Sequence, residues 1–75
     1  MNIEYDQTVD AAYIYVGGKI APGGVATSYH CNPAKVGGII NLDFDVEGRL
    51  IGIEILDARL RLPPEALAAF DSKEQ

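Results

Sequence analysis

Residues 38–56 constrain the fold more than any other stretch. Two apolar, β-branched runs, Ile39-Ile40-Asn41-Leu42-Asp43-Phe44 and Arg49-Leu50-Ile51-Gly52-Ile53-Glu54-Ile55-Leu56, are joined by Asp45-Val46-Glu47-Gly48. Runs of this kind, broken by a polar segment ending in glycine, read as a β-hairpin, with Gly48 able to take positive φ at little cost. Ile40, Leu42 and Phe44 share one face of the first strand, and Ile51, Ile53 and Ile55 share one face of the second. Two registers are open. A loop from Asp45 to Gly48 sets Phe44 opposite Arg49, Leu42 opposite Ile51 and Ile40 opposite Ile53. A three-residue loop with a glycine bulge puts Leu50 beside Phe44 and sends Ile51 to the face of Asp43. A one-residue slip exchanges every side chain's face, so the two are exclusive. Gly52 is out of place in so apolar a strand. It is a weak spot, a bulge, or a place where another backbone or a ring, Tyr13 or Tyr15, comes close.

The rest of the chain is punctuated by Gly17-Gly18, Gly23-Gly24 and Gly37-Gly38, which mark turns. Ile3-Glu4-Tyr5 and Ala12-Tyr13-Ile14-Tyr15-Val16 read as strands joined by the polar turn 6–10, with Tyr13 and Tyr15 on one side and Ile14 and Val16 on the other. Val25 to Cys31 is a weaker strand, stopped by Asn32-Pro33. Pro63-Pro64-Glu65-Ala66-Leu67-Ala68-Ala69-Phe70 reads as a short helix, with proline and an acid in its first turn and Leu67 and Phe70 on one face. Such a helix is marginal alone and is expected to dock on the sheet. The expected fold is α+β: a single domain over residues 1–75 with four or five antiparallel strands and one short C-terminal helix on one face.

Length sets the difficulty. A chain of 75 residues and 8.1 kDa hides only about 60% of its surface, leaving roughly 4,500 Å² exposed when compact. Chains this small commonly need a staple or a partner. The single cysteine makes no internal disulfide. With Ile, Val and Tyr on both sides of the sheet, a homodimer burying the face left bare by the Pro64–Phe70 helix is expected. No apolar run approaches the roughly 18 residues of a membrane span. The acidic start, Met-Asn-Ile-Glu-Tyr-Asp, lacks the basic region of a signal peptide, so a cytoplasmic location is expected.

The net charge of −5 is uneven. Asp6, Asp10, Asp43, Asp45, Glu47, Glu54 and Asp57 form the candidate interaction surface. Their sign disfavours nucleic acid and acidic membranes, where Lys and Arg supply affinity, and leaves a basic protein as the fitting partner. Asp43 to Gly48, with Glu54, also aligns with a calcium-loop pattern, Glu47 standing where Asp or Asn is usual. The flanking residues read as strands rather than helices, so weak cation or small-ligand binding at that loop is the alternative function. His30-Cys31 is the one pair with nucleophile-and-base character, but neighbours in a strand point to opposite faces. Paired acids need a cleft before they do acid–base work, and Gly-x-Gly-x-x-Gly and Walker patterns are missing. No catalytic residue, metal ligand or cofactor is expected, and the chain is read as non-enzymatic.

Two blocks together resemble a family of small proteins catalogued as DUF2283. They are Tyr5-Asp6 with Asp10-Ala11-Ala12-Tyr13-Ile14, and Asp43-Phe44-Asp45 with Gly48-Arg49-Leu50-Ile51-Gly52-Ile53-Glu54-Ile55-Leu56-Asp57-Ala58. The resemblance runs from Ile3 to about Arg59. Ala12 stands where a larger aliphatic residue is common. Arg59 stands where serine is common, which removes a cap for whatever follows Asp57-Ala58. The resemblance implies a small antiparallel sheet with a C-terminal helix and supplies no catalytic residue. Because members are sometimes encoded beside small toxin-like ribonucleases, it also implies an antitoxin-like role.

Overall fold

A computed structural model describes residues 2–66 and 68. Five strands, β1 (Asn2–Asp6), β2 (Ala11–Tyr15), β3 (Thr27–His30), β4 (Ile40–Phe44) and β5 (Leu50–Leu56), form one antiparallel sheet in the order β1-β2-β5-β4-β3. Two short helices accompany them, α1 (Pro33–Val36) and α2 (Ala58–Arg61). β1–β2 and β3–β4–β5 are two local units, and β5, the longest strand, closes them into one sheet by pairing with both β2 and β4.

The β4–β5 hairpin combines features of both registers. At the turn, Asp45 N–H bonds to Arg49 O at 2.9 Å and Gly48 N–H to Asp45 O at 3.0 Å, with Gly48 at φ 79. This is the three-residue loop, and it sets Phe44 opposite Leu50. A bulge then inserts Ile51, after which Leu42 faces Ile53 and Ile40 faces Ile55. The bulge returns Ile53 and Ile55 to the face of Leu42 and Ile40. The longer loop would have achieved the same grouping two residues out of step.

The helices depart from expectation. Asn32-Pro33 ends the β3 region but also starts α1: Asn32 Oδ1 accepts from Ala34 N at 3.0 Å, and proline occupies the first turn. A helix not expected from the sequence, α2, begins at Ala58, ahead of the segment from Pro63 to Phe70. Helical backbone recurs at 64–66 and 68; Leu67 and Phe70, on which the docking of that segment was argued, lie outside the described residues. Ala58 is fully buried against Tyr5 and Ala12, and Leu62 packs on the same cluster.

The α2 N-terminus is capped from another part of the chain. Asp57, at φ 54, makes no side-chain cap. Instead Asp10 in the β1–β2 turn accepts Ala58 N–H on its backbone oxygen at 2.9 Å and Arg59 N–H on Oδ1 at 3.1 Å. The same Oδ1 accepts the Tyr5 hydroxyl at 2.7 Å. The first hairpin thus caps α2. At the far end of α2, Arg61 donates to Gly37 O and lies over Gly37-Gly38, where a Cβ would fall 2.8 Å from Arg61 Nη2 at Gly37 and 3.0 Å from Arg61 Cδ at Gly38.

Candidate functional site

Strand alternation gives the sheet two unlike faces. Pairing carries Ile3, Ile14, Ile53, Leu42 and Tyr29 across all five strands on one face, and beside them Tyr5, Ala12, Ile55 and Ile40. At one end of the second row, Tyr5 and Ala12 pack with Ala58 of α2 and with Leu62. The other face is polar. One row runs Glu4, Tyr13, Glu54, Asn41, His30, and the next runs Asn2, Tyr15, Gly52, Asp43, Ser28. The expected mixture of apolar residues on both sides is therefore corrected. Tyr13 and Tyr15 do lie opposite Ile14, but their neighbours are carboxylates, an amide and a hydroxyl.

Gly52 is the keystone of the polar face. A Cβ there would enter the Tyr13 phenol. Its lack of a side chain lets the Tyr13 ring cross β5 and donate to Asp43 Oδ2 at 2.5 Å. Ser28 donates to Asp43 Oδ1 at 2.6 Å, so one carboxylate gathers β2, β3 and β4. A second chain runs from His30 Nδ1, 2.7 Å from Asn41 Oδ1, to Asn41 Nδ2, which donates to Glu54 Oε1 at 2.8 Å. At the other edge Tyr15 donates to Glu4 Oε1 at 3.2 Å, and the Tyr13 and Tyr15 rings meet edge to face with centroids 4.7 Å apart. Desolvation, then the hydrogen bond to Asp43, push the Tyr13 phenol far above its ordinary value. Tyr15 is raised by desolvation and by Glu4. Both hydroxyls are held as proton donors.

The candidate acidic residues divide among three jobs. Asp43 and Glu54 stand on the polar face. Asp6, Asp10, Asp45 and Asp57 organise turns and the start of α2. Asp6 Oδ1 accepts Thr8 N–H at 2.9 Å, and Asp10 and Asp57 hold left-handed backbone at φ 54. Asp45 accepts from Glu47 N at 3.0 Å, Arg49 N at 2.9 Å and Arg49 Nε at 2.8 Å, and the Arg49 backbone bond leads the causes that hold its carboxyl below the usual range. Glu47 pairs with Arg49 Nη2 at 2.8 Å. Glu4, not among the candidates, joins the polar face. Its signal was present in the alternation of Ile3-Glu4-Tyr5 beside Tyr13.

The calcium-like loop is dispersed by the hairpin. Asp43 is turned to Tyr13 and Ser28, whereas Asp45 and Glu47 are turned to Arg49. Among the described residues, no three His, Cys, Asp or Glu side chains converge as a metal centre requires. His30 is exposed and Cys31 half-buried, and the histidine's partner is Asn41. A cleft of about 210 Å³ is lined by the Gly17–Lys19 loop, Ile20, Asp45 and Ile51. No helix of the described residues is long and apolar enough to cross a membrane.

The model of a family described as a protein of unknown function, DUF2283, matches residues 2–59. No curated protein and no solved structure matches the chain.

Proposed function

The chain belongs to the DUF2283 family, and from that premise we propose that it is a non-enzymatic protein-interaction domain whose polar sheet face receives a basic partner. One observation carries this reading. Glu4, Asp43 and Glu54 lie on two adjoining rows with Tyr13 and Tyr15, and none of the five strands contains a Lys or Arg. They accept hydrogen bonds from the neutral hydroxyls of Tyr13, Tyr15 and Ser28 and the amide of Asn41. Neutral donors orient the carboxylates, and none of the three is in an ion pair among the described residues. A flat acidic surface with tyrosine rings suits arginine, which pairs with carboxylates and stacks on aromatic faces. A ribonuclease-type protein, whose RNA-binding face is rich in Lys and Arg, has the complementary chemistry, and an antitoxin-like role follows if this face covers that one.

A deca-arginine peptide is a direct probe, read by NMR titration. Shift changes at Tyr13, Glu54 and Asn41, with affinity falling as salt rises, are expected. Glu54→Lys and Glu4→Lys together are expected to weaken binding by at least about tenfold. Co-expression with the product of the neighbouring gene tests the biological form: capture and rescue of growth are expected, both lost in the double variant. Binding that ignores salt, or shifts confined to the apolar face, would sink the proposal.

A further inference from the structure

His30 ends the polar row at the β3 edge, and it is the one histidine of the chain. We infer that this imidazole makes capture of a basic partner by the polar face pH-dependent. Its Nε2 is held open as a proton acceptor, and protonation there sets a cation against the incoming charge. This rests on the interaction reading above and adds the regulation of that same face.

Three groups in line fix the tautomer. An ionised carboxylate only accepts hydrogen bonds. Glu54 Oε1 therefore takes its 2.8 Å bond from the amide nitrogen of Asn41, Nδ2. That turns Asn41 Oδ1, an acceptor, toward β3, where His30 Nδ1 lies 2.7 Å away. Two acceptors do not bond, so Nδ1 carries the proton. Nε2 is then the lone-pair nitrogen of the neutral ring. His30 makes no other hydrogen bond among the described residues, and it is exposed. Protonation at Nε2 breaks nothing in the chain His30–Asn41–Glu54, because Nδ1–H donates in both forms. The charge of the row changes while its geometry stays.

The charges around His30 come from each neighbouring element. Along its own strand Ser28 is neutral, and Tyr29 and Cys31 alternate to the other face. β4 presents Asp43 beside Asn41, and β5 presents Glu54 beyond it. Tyr13, from β2, reaches Asp43 across Gly52. α1 adds one cation, Lys35. With Glu4 the face holds three carboxylates, and while His30 is neutral its strands hold no cation. A protonated ring sets one positive charge among those three, two strand spacings or about 10 Å from Glu54, a range that moderate salt screens only in part. The neutral ring does the reverse and offers Nε2 as an acceptor to a Lys or Arg N–H. Proton and basic partner thus compete for one face. By linkage, capture tightens as pH rises through the histidine range.

NMR of the full chain reads the tautomer directly. Imidazole nitrogen shifts at pH 8 are expected to show a protonated Nδ1 and a bare Nε2. A bare Nδ1 at that pH overturns the inference, whatever the protein binds. Deca-arginine affinity is then compared at pH 7 and pH 5.5, above the usual carboxylate range and below the usual amine and thiol ranges. A fall of about threefold is expected at the lower pH, the scale of one exposed charge. His30→Asn, whose amide nitrogen can give Asn41 the same hydrogen bond, is expected to remove that fall. Equal wild-type affinity at both pH values, or a fall that His30→Asn retains, overturns the inference and leaves the interaction reading standing. No binding at either pH removes the reading and the inference together.

Discussion

At the scale of single residues, Gly52 and Tyr13 form one device. The glycine is required because the phenol occupies the space above its Cα, and the phenol reaches Asp43 only by crossing there. Gly52→Ala has to move the ring, break the Tyr13–Asp43 bond and overpack the strand. A loss of about 1–3 kcal/mol in urea unfolding is expected. Tyr13→Phe should absorb part of that loss, so the double variant should fall short of the sum of the singles. Titration gives a second check. The folded-state value of Tyr13 is raised above its ordinary value near 10. The protonated phenol's contribution is therefore complete below about pH 10. It is lost as pH rises from there through the folded-state value, because the unfolded chain gives up its proton first. Wild-type protein is expected to lose stability over that range more steeply than Tyr13→Phe. Equal slopes would remove Tyr13 from the account.

Elements are tied together by residues that belong to neither partner. Asp10 lies in the β1–β2 turn yet supplies two acceptors to the start of α2 and one to Tyr5. Its left-handed backbone, φ 54, suits Asp or Asn and burdens most other residues. Asp10→Ala loses both the acceptor and the backbone tolerance, and a cost of about 2–3 kcal/mol is expected. Asp10→Asn should cost less. Amide exchange should quicken at Arg59 in the alanine variant while the β4–β5 amides stay protected; uniform quickening would show that α2 is not a separate unit. This cap was not legible in the sequence, because it joins residues 49 positions apart and the local cue, Arg59 after Asp57-Ala58, pointed to no cap. The hairpin was legible from its alternation, its turn from Gly48, and the ring over Gly52 from that glycine's misplacement. The bulge at Ile51 was hidden, since each register alone satisfied half of the pattern. α1 was hidden because Asn-Pro marks the end of a strand and the start of a helix with the same residues.

At the scale of the molecule, the sheet has one apolar face and one polar face. Composition revealed the shortage of core but not its place, because counting Ile, Val and Tyr does not separate a ring that packs from a ring that presents a hydroxyl. Tyr13 and Tyr15 are of the second kind. They made the polar face look apolar, whereas their hydroxyls meet carboxylates. The acidic face has a stability consequence of its own. Glu4, Asp6, Asp43 and Glu54 share it with no strand Lys or Arg, and like charges within reach of one another oppose folding. Most of that opposition is between exposed groups and is screened as ionic strength rises. The melting temperature is therefore expected to increase between low salt and about 0.5 M sodium chloride, against the direction of a fold held by surface ion pairs. Glu54→Gln keeps the oxygen that accepts from Asn41 Nδ2 and removes one charge. It should melt higher than wild type at low salt and respond less to added salt. The same substitution should weaken capture of a basic partner, so that stability and binding move in opposite directions. A melting temperature that falls with salt, or a variant that gains neither stability nor salt tolerance, would show that these carboxylates are not in mutual conflict. The reason for keeping them uncompensated on a face built to hold them would then be lost.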